Sequence, residues 1–131
     1  GVKVELNTVG DYQMFANERD NKNYDIFVGG WFSDYNDPLD FLNVMKTGVY
    51  DSYGLYSNSE YDSLIDSLTG ENDNAKRLEI YQKLDLLVAQ DCGVAPLYYS
   101  DKHYYYQNWV KDFYTSSFGA SQELYRATVE K

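Results

Sequence analysis

The chain has 131 residues, 44% of them hydrophobic, which suits one ordinary core and argues against disorder. Its 21 acidic and 11 basic residues give a net charge of −10, which speaks against nucleic acid or an anionic membrane surface as partner. The single cysteine, Cys92, excludes an internal disulfide, and no run of about 18 apolar residues is present to span a bilayer.

Val2, Val4 and Leu6 alternate with Lys3 and Glu5, which predicts a strand with one buried face. The chain thus opens inside a strand pattern and reads as a piece of a longer protein. Thr8 is placed to cap a helix over residues 9–19, with Asp11 favouring its positive end. Tyr12, Phe15 and Ala16 share one side of that helix, and the polar run 20–23 ends it. The apolar run 24–30 predicts a second strand, so strand, helix and strand read as a right-handed crossover between parallel strands.

Asp37-Pro38 opens a second helical segment, with Phe41, Leu42 and Met45 spaced for a buried stripe. Residues 47–55 are irregular. Ser57 and Glu60 form a capping-box pattern before a helix over 58–68, with Tyr61, Leu64, Ile65 and Leu68 inward. Residues 69–72 break it. Asp73 caps the longest helix, over 74–91, whose apolar positions are Leu78, Tyr81, Leu84, Leu87 and Val88. Gly93 stops it, and Cys92 beside it is expected as a small buried residue. Residues 94–99 are extended, 103–107 predict an aromatic strand, 111–119 a loop and 124–129 a last strand.

The segment from Gly29 to Pro38 carries the chemistry. Two glycines let another backbone come close, Trp31 offers a flat apolar wall, and Asp34 offers a carboxylate to an ammonium group. A turn carboxylate bonding its own backbone is the alternative for Asp34, core packing the alternative for Trp31. Phe32 alternates to the other side from Trp31. One of the two should lie behind the sheet, and Trp31 is expected to face the cleft, with Phe32 a further pocket residue.

Other chemistries find little support. Asp34, Asn36, Asp37 and Asp40 start like an EF-hand loop, but Leu39 stands at the glycine position and Met45 at the bidentate glutamate. No His or Asn stands at an offset that would make Cys92 a nucleophile, and the lone His103 sits among strand tyrosines. There is no phosphate loop, Ser-His-Asp set or Cys/His metal cluster. The residues therefore nominate no catalytic group, no metal and no cofactor.

The run Tyr24-Asp25-Ile26-Phe27, followed by Gly30-Trp31, Asp34 to Pro38 and Phe41-Leu42, resembles the oligopeptide- and dipeptide-binding proteins of bacterial ABC importers, solute-binding family 5. Three later stretches match that family in the same order: Tyr56 to Ile65, the series Asp73, Arg77, Tyr81 and Asp85, and Val94 to Tyr98. The likeness covers about residues 1–109 and is weak beyond Trp109.

The resemblance implies an α/β fold, the type II lobe of a periplasmic binding protein, with a mixed sheet flanked by helices. The chain would be its C-terminal part. Residues 1–109 would form most of the ligand-binding lobe and 110–131 a tail returning towards the first lobe. It implies a non-catalytic protein that captures an extended oligopeptide between two lobes and delivers it to a membrane permease. Its partners would be the peptide, the permease and the remaining lobe. Its place would be outside the cytoplasmic membrane of a bacterium, periplasmic or lipid-anchored. It also implies ligand-binding roles for Gly30, Trp31, Phe32 and Asp34, with Asp34 gripping the peptide's free amino terminus. The second reading of the sequence is an aromatic-rich carbohydrate-binding or cell-surface adhesive module using rows of exposed rings.

Overall fold

The computed structural model describes residues 1–49, 55–116, 118 and 126–130. Its helices are α1 (Tyr12–Asp20), α2 (Leu39–Leu42, continued by a 3-10 turn over Asn43–Met45), α3 (Ser59–Ser67) and α4 (Asn74–Gln90). Two short strands, β1 (Val110–Lys111) and β2 (Thr128–Val129), pair antiparallel, with Val110 opposite Val129 and Lys111 opposite Thr128.

Local chemistry sets each helix boundary. α1 begins later than Thr8 predicts: Asp11 is the cap, its carboxylate accepting the Met14 N–H at 2.8 Å. Gly10 just before it is a poor helix former, so the stronger cap C-terminal to it wins. α3 is capped by Asn58, which accepts from the N–H groups of Glu60 (2.9 Å) and Tyr61 (3.1 Å), and not by Ser57. Ser57 instead accepts the Thr47 hydroxyl at 3.1 Å. Asp73 caps α4 as predicted, accepting from Ala75 at 2.9 Å.

The end of α4 differs from expectation in an informative way. Cys92, at φ 53°, takes the left-handed turn, and the Gly93 N–H returns to the Val88 carbonyl at 3.0 Å. Gly93 is needed for space: a Cβ there would lie 2.7 Å from the Tyr56 ring. Turning outward leaves Cys92 exposed, not buried.

The core lies where α2, α3 and α4 meet. Met45, Tyr61, Ile65, Leu68, Leu84 and Val88 are buried, with Leu39, Leu42, Val44, Leu64, Ile80, Tyr81 and Leu87 packed around them. The predicted inward set of α3 is thus found, while Leu78 on α4 faces solvent. Fully buried Tyr61 gives its hydroxyl hydrogen to the Leu42 carbonyl at 2.7 Å, so no polar group is stranded there.

The predicted strands at 2–6, 24–30 and 103–107 lie in described residues but join no ladder among them. Val2, Val4 and Leu6 are 90%, 78% and 82% exposed. A strand is made by the hydrogen bonds of its neighbour, and alternation in sequence supplies only the face that would be buried. No crossover is therefore formed among the described residues. Segment 24–30 is still anchored: the Phe27 ring meets Tyr24 at 4.9 Å and Phe15 of α1 at 6.1 Å. Of the predicted last strand, residues 124 and 125 lie outside the described residues, and β2 forms its end.

Candidate functional site

The loop between residue 29 and α2 is held by two carboxylates that the sequence reading did not nominate. Asp37 sits just before Pro38, whose fixed φ (−54°) starts the helical turn. The Asp37 side chain accepts the Leu39 N–H at 2.8 Å, the Tyr81 hydroxyl at 2.6 Å and Arg77 Nη2 at 2.8 Å. Arg77 also donates to the Leu68 and Glu71 carbonyls, at 3.3 and 3.2 Å, and to the Tyr81 hydroxyl. One guanidinium thus joins the loop, the end of α3 and the first turns of α4.

The electrostatics follow from this arrangement. Burial alone would raise the Asp37 pKa, but the hydrogen bonds from Tyr81, Leu39 and Arg77 outweigh it and hold the carboxyl below its ordinary value. Burial works against the charge on Arg77, yet its bond to Asp37 raises its pKa. The Tyr81 hydroxyl is pushed up to about 12 by burial and by its bond to Asp37.

Asp40, on the first turn of α2, is the second anchor. It is 7% exposed, and its Oδ2 receives two donors: the Trp31 indole N–H at 3.1 Å and the Asp34 backbone N–H at 2.8 Å. These bonds pull the loop back over the helix. They also answer how Trp31 and Phe32 divide. Trp31 is half-buried with its nitrogen on Asp40, whereas Phe32 is 60% exposed, with the Lys102 ammonium 4.8 Å from its ring centre. The more open ring is Phe32, because a buried acceptor nine residues on claims the indole.

Asp34 is exposed, and among the described residues its carboxylate takes part in no hydrogen bond or ion pair. The turn before Pro38 is served by Asp37 and Asp40 instead. A Cβ placed on Gly30 would meet nothing within 4 Å, so one side of the backbone there is open. Gly30, Trp31, Phe32 and Asp34 are therefore brought together on one loop, open at Gly30 and anionic at Asp34. The acidic run does not form a shared cage, because Asp37 and Asp40 turn their oxygens to protein donors.

Asp37, Asp40, Arg77 and Tyr81 were missed as members of the site. Arg77 and Tyr81 were legible as one face of α4, four residues apart. A cleft of about 400 Å³ lies elsewhere, between the end of α1 and the start of α3, lined by Arg19, Lys22, Tyr24, Thr47 and Tyr56 among others. None of the loop residues lines it.

No family model matches the chain. It is 31% identical over 114 residues to the oligopeptide-binding protein OppA of Bacillus subtilis, covering 86% of this chain and 20% of the relative. It is 29% identical over 110 residues to the periplasmic oligopeptide-binding protein OppA of Salmonella typhimurium, covering 84% and 20%. The chain thus spans one fifth of the length of these curated relatives. Among solved structures, the peptide-binding pheromone receptor PrgZ superposes with a TM-score of 0.77 at 26% identity, over 95% of this chain and 24% of the receptor. The substrate-binding domain of an oligopeptide ABC transporter from Bacillus anthracis superposes with a TM-score of 0.82 at 27% identity, with the same coverage. The predicted binding-protein fold is found in these neighbours. In sequence and in fold, the chain is similar to one stretch of the oligopeptide-binding proteins that serve bacterial ABC transporters.

Proposed function

We infer that this chain is part of the ligand-binding lobe of an extracytoplasmic peptide-binding protein, periplasmic or lipid-anchored, which delivers its ligand to an ABC permease and carries out no catalysis. An extended oligopeptide lies along residues 30–32 and pairs with their backbone as an added strand would. The open side of Gly30 leaves room for that approach. Trp31 and Phe32 wall the side-chain pockets, and Asp34 receives the peptide's free amino terminus. The remaining lobe closes over the peptide, so affinity depends on both halves. Residues 1–109 make up this lobe's share, and residues 110–131 form a tail towards the other lobe.

The observation that carries the reading is the state of Asp34. Three carboxylates stand within seven residues, two are engaged by protein donors, and the third is exposed and unengaged. Backbone pairing explains tolerance of ligand sequence, while a carboxylate that must be neutralised explains demand for a free amino group. A charge-assisted hydrogen bond of this kind contributes about 1.5–3 kcal/mol.

The test uses the full-length protein and one peptide in two forms, with a free and with an acetylated amino terminus. Asp34→Asn is expected to weaken the free form by about tenfold or more and to leave the acetylated form nearly unchanged, read by calorimetry. Equal losses for the two forms would remove Asp34 from this role. The carbohydrate reading draws on exposed rings such as Tyr98, Tyr99 and Tyr105. The peptide reading is preferred because the relatives named above bind peptides.

A further inference from the structure

We propose that Asp40 is the positioning residue of the ligand loop, fixing the Trp31 ring and the Asp34 backbone in one geometry through a single buried oxygen. This deepens the peptide reading and rests on it. Asp40 need not touch the peptide; it acts through the two residues that do.

The geometry is specific. Oδ2 of Asp40 receives the indole N–H of Trp31 at 3.1 Å and the backbone N–H of Asp34 at 2.8 Å. The two donors lie nine and six residues upstream, so the bonds close the loop back upon the start of α2. One donor belongs to the wall of a pocket and the other to the residue carrying the free carboxylate. Fixing both to one atom couples them: the ring cannot leave Asp40 without loosening the backbone from which the Asp34 carboxylate projects. A nearly inaccessible carboxylate without donors is costly, so the loop holds this shape before any ligand arrives.

The charge of Asp40 has a second consequence. The Tyr35 hydroxyl is raised above its ordinary value by burial first, then by Asp40, Asp37 and Asp34 in that order. The Arg77 charge opposes them there, and Asp37 is already paired with it at 2.8 Å, so an amino group entering beside Asp34 meets chiefly the carboxylates of Asp34 and Asp40.

The experiment compares Asp40→Asn, Asp40→Leu and Asp34→Asn in the full-length protein, with tri-alanine in free and N-acetylated forms. A second readout is the ¹⁹F resonance of 5-fluorotryptophan at position 31, assigned by its loss in Trp31→Phe. Asp40→Leu is expected to weaken the free peptide by about tenfold, to weaken the acetylated peptide clearly less, through the displaced Trp31 wall alone, and to move the Trp31 resonance in the ligand-free protein. Asp40→Asn should keep much of both, since an amide oxygen in the same place can accept both donors. Should Asp40→Leu fail to fold, Asp40→Ala removes the same acceptor with less bulk.

Equal weakening of both peptide forms by Asp40→Leu would mark a merely structural role and overturn the proposal. So would a Trp31 resonance that does not move. Failure of the peptide reading looks different: Asp34→Asn then leaves the ratio of the two peptide forms unchanged. In that case the Trp31 resonance alone decides whether Asp40 positions the loop.

Discussion

Replacing Arg77 tests whether the loop before α2 is held from α4. Its side chain is 18% exposed and that of Asp37 is 31% exposed, so the pair is neither a solvated surface bridge nor a fully buried one. Exposed pairs contribute at most about 1 kcal/mol, and hydrogen bonds to charged groups contribute about 1.5–3 kcal/mol. Arg77→Met also leaves the Leu68 and Glu71 carbonyls without this donor. Asp37 keeps Tyr81 and Leu39 as partners, which limits the damage. The expected loss is therefore about 2 kcal/mol, near a thirtyfold change in the folding equilibrium. With a urea slope of about 2 kcal/mol per molar, the midpoint falls by about 1 M.

A double-mutant cycle with Asp37→Asn isolates the pair. A coupling energy of about 1 kcal/mol or more is expected. Arg77→Lys should recover little, because one ammonium cannot reach a carboxylate and two carbonyls that a planar fork reaches together. Strict additivity of the two single changes would refute the reasoning, since the loop would then be held without this bridge.

Leu84 has no exposed surface, so Leu84→Ala should destabilise by about 2–5 kcal/mol, read by the same urea titration. Gly93→Ala forces a Cβ to within 2.7 Å of a Tyr56 ring whose hydroxyl is fixed on Asp91 at 2.8 Å; a loss of about 1–3 kcal/mol is expected, recovered in part by adding Tyr56→Leu. Gly30→Val, where a Cβ meets open space, should leave the unfolding free energy from the urea titration within about 0.5 kcal/mol of the parent while weakening peptide binding. The Tyr56 hydroxyl is pushed up to about 12 by burial and by its bond to Asp91, and that of Tyr81 to about 12 by burial and by Asp37. Both lose their protons more readily unfolded, so their contribution is intact below the ordinary value of 10.0 and is lost as pH rises towards 12; Tyr81→Phe should flatten that alkaline loss.

What the sequence made legible was local. Asp73 announces α4, and the apolar spacing of Tyr61, Ile65 and Leu68 announces the face of α3. Both rest on residues within a few positions of each other. Competition between nearby caps was harder to judge: Asp11 and Asn58 displaced Thr8 and Ser57, although all four are acceptable capping types. The strand at 2–6 was read from alternation and that at 24–30 from an apolar run; each shows what would be buried but not a neighbour, and neither pairs among the described residues. The roles of Trp31 and Phe32 were the least legible, because alternation makes the pair diverge without saying which ring turns inward.

That last ambiguity was settled by Asp40, and the same residue explains why Asp34 is free. A loop with two carboxylates, followed by a third on the first turn of α2, could fold with any of them turned inward. Bonding Asp40 to the Asp34 N–H fixes the Asp34 backbone while leaving its side chain outside the turn. Bonding Asp37 to Arg77 and Tyr81 removes the second competitor for an incoming cation. The uncommitted carboxylate is thus a product of the two committed ones. A site of this design is altered as readily through its anchors as through the residue that meets the ligand, which is why Asp40 and Arg77, neither of them in contact with the proposed peptide, are the substitutions that most directly test it.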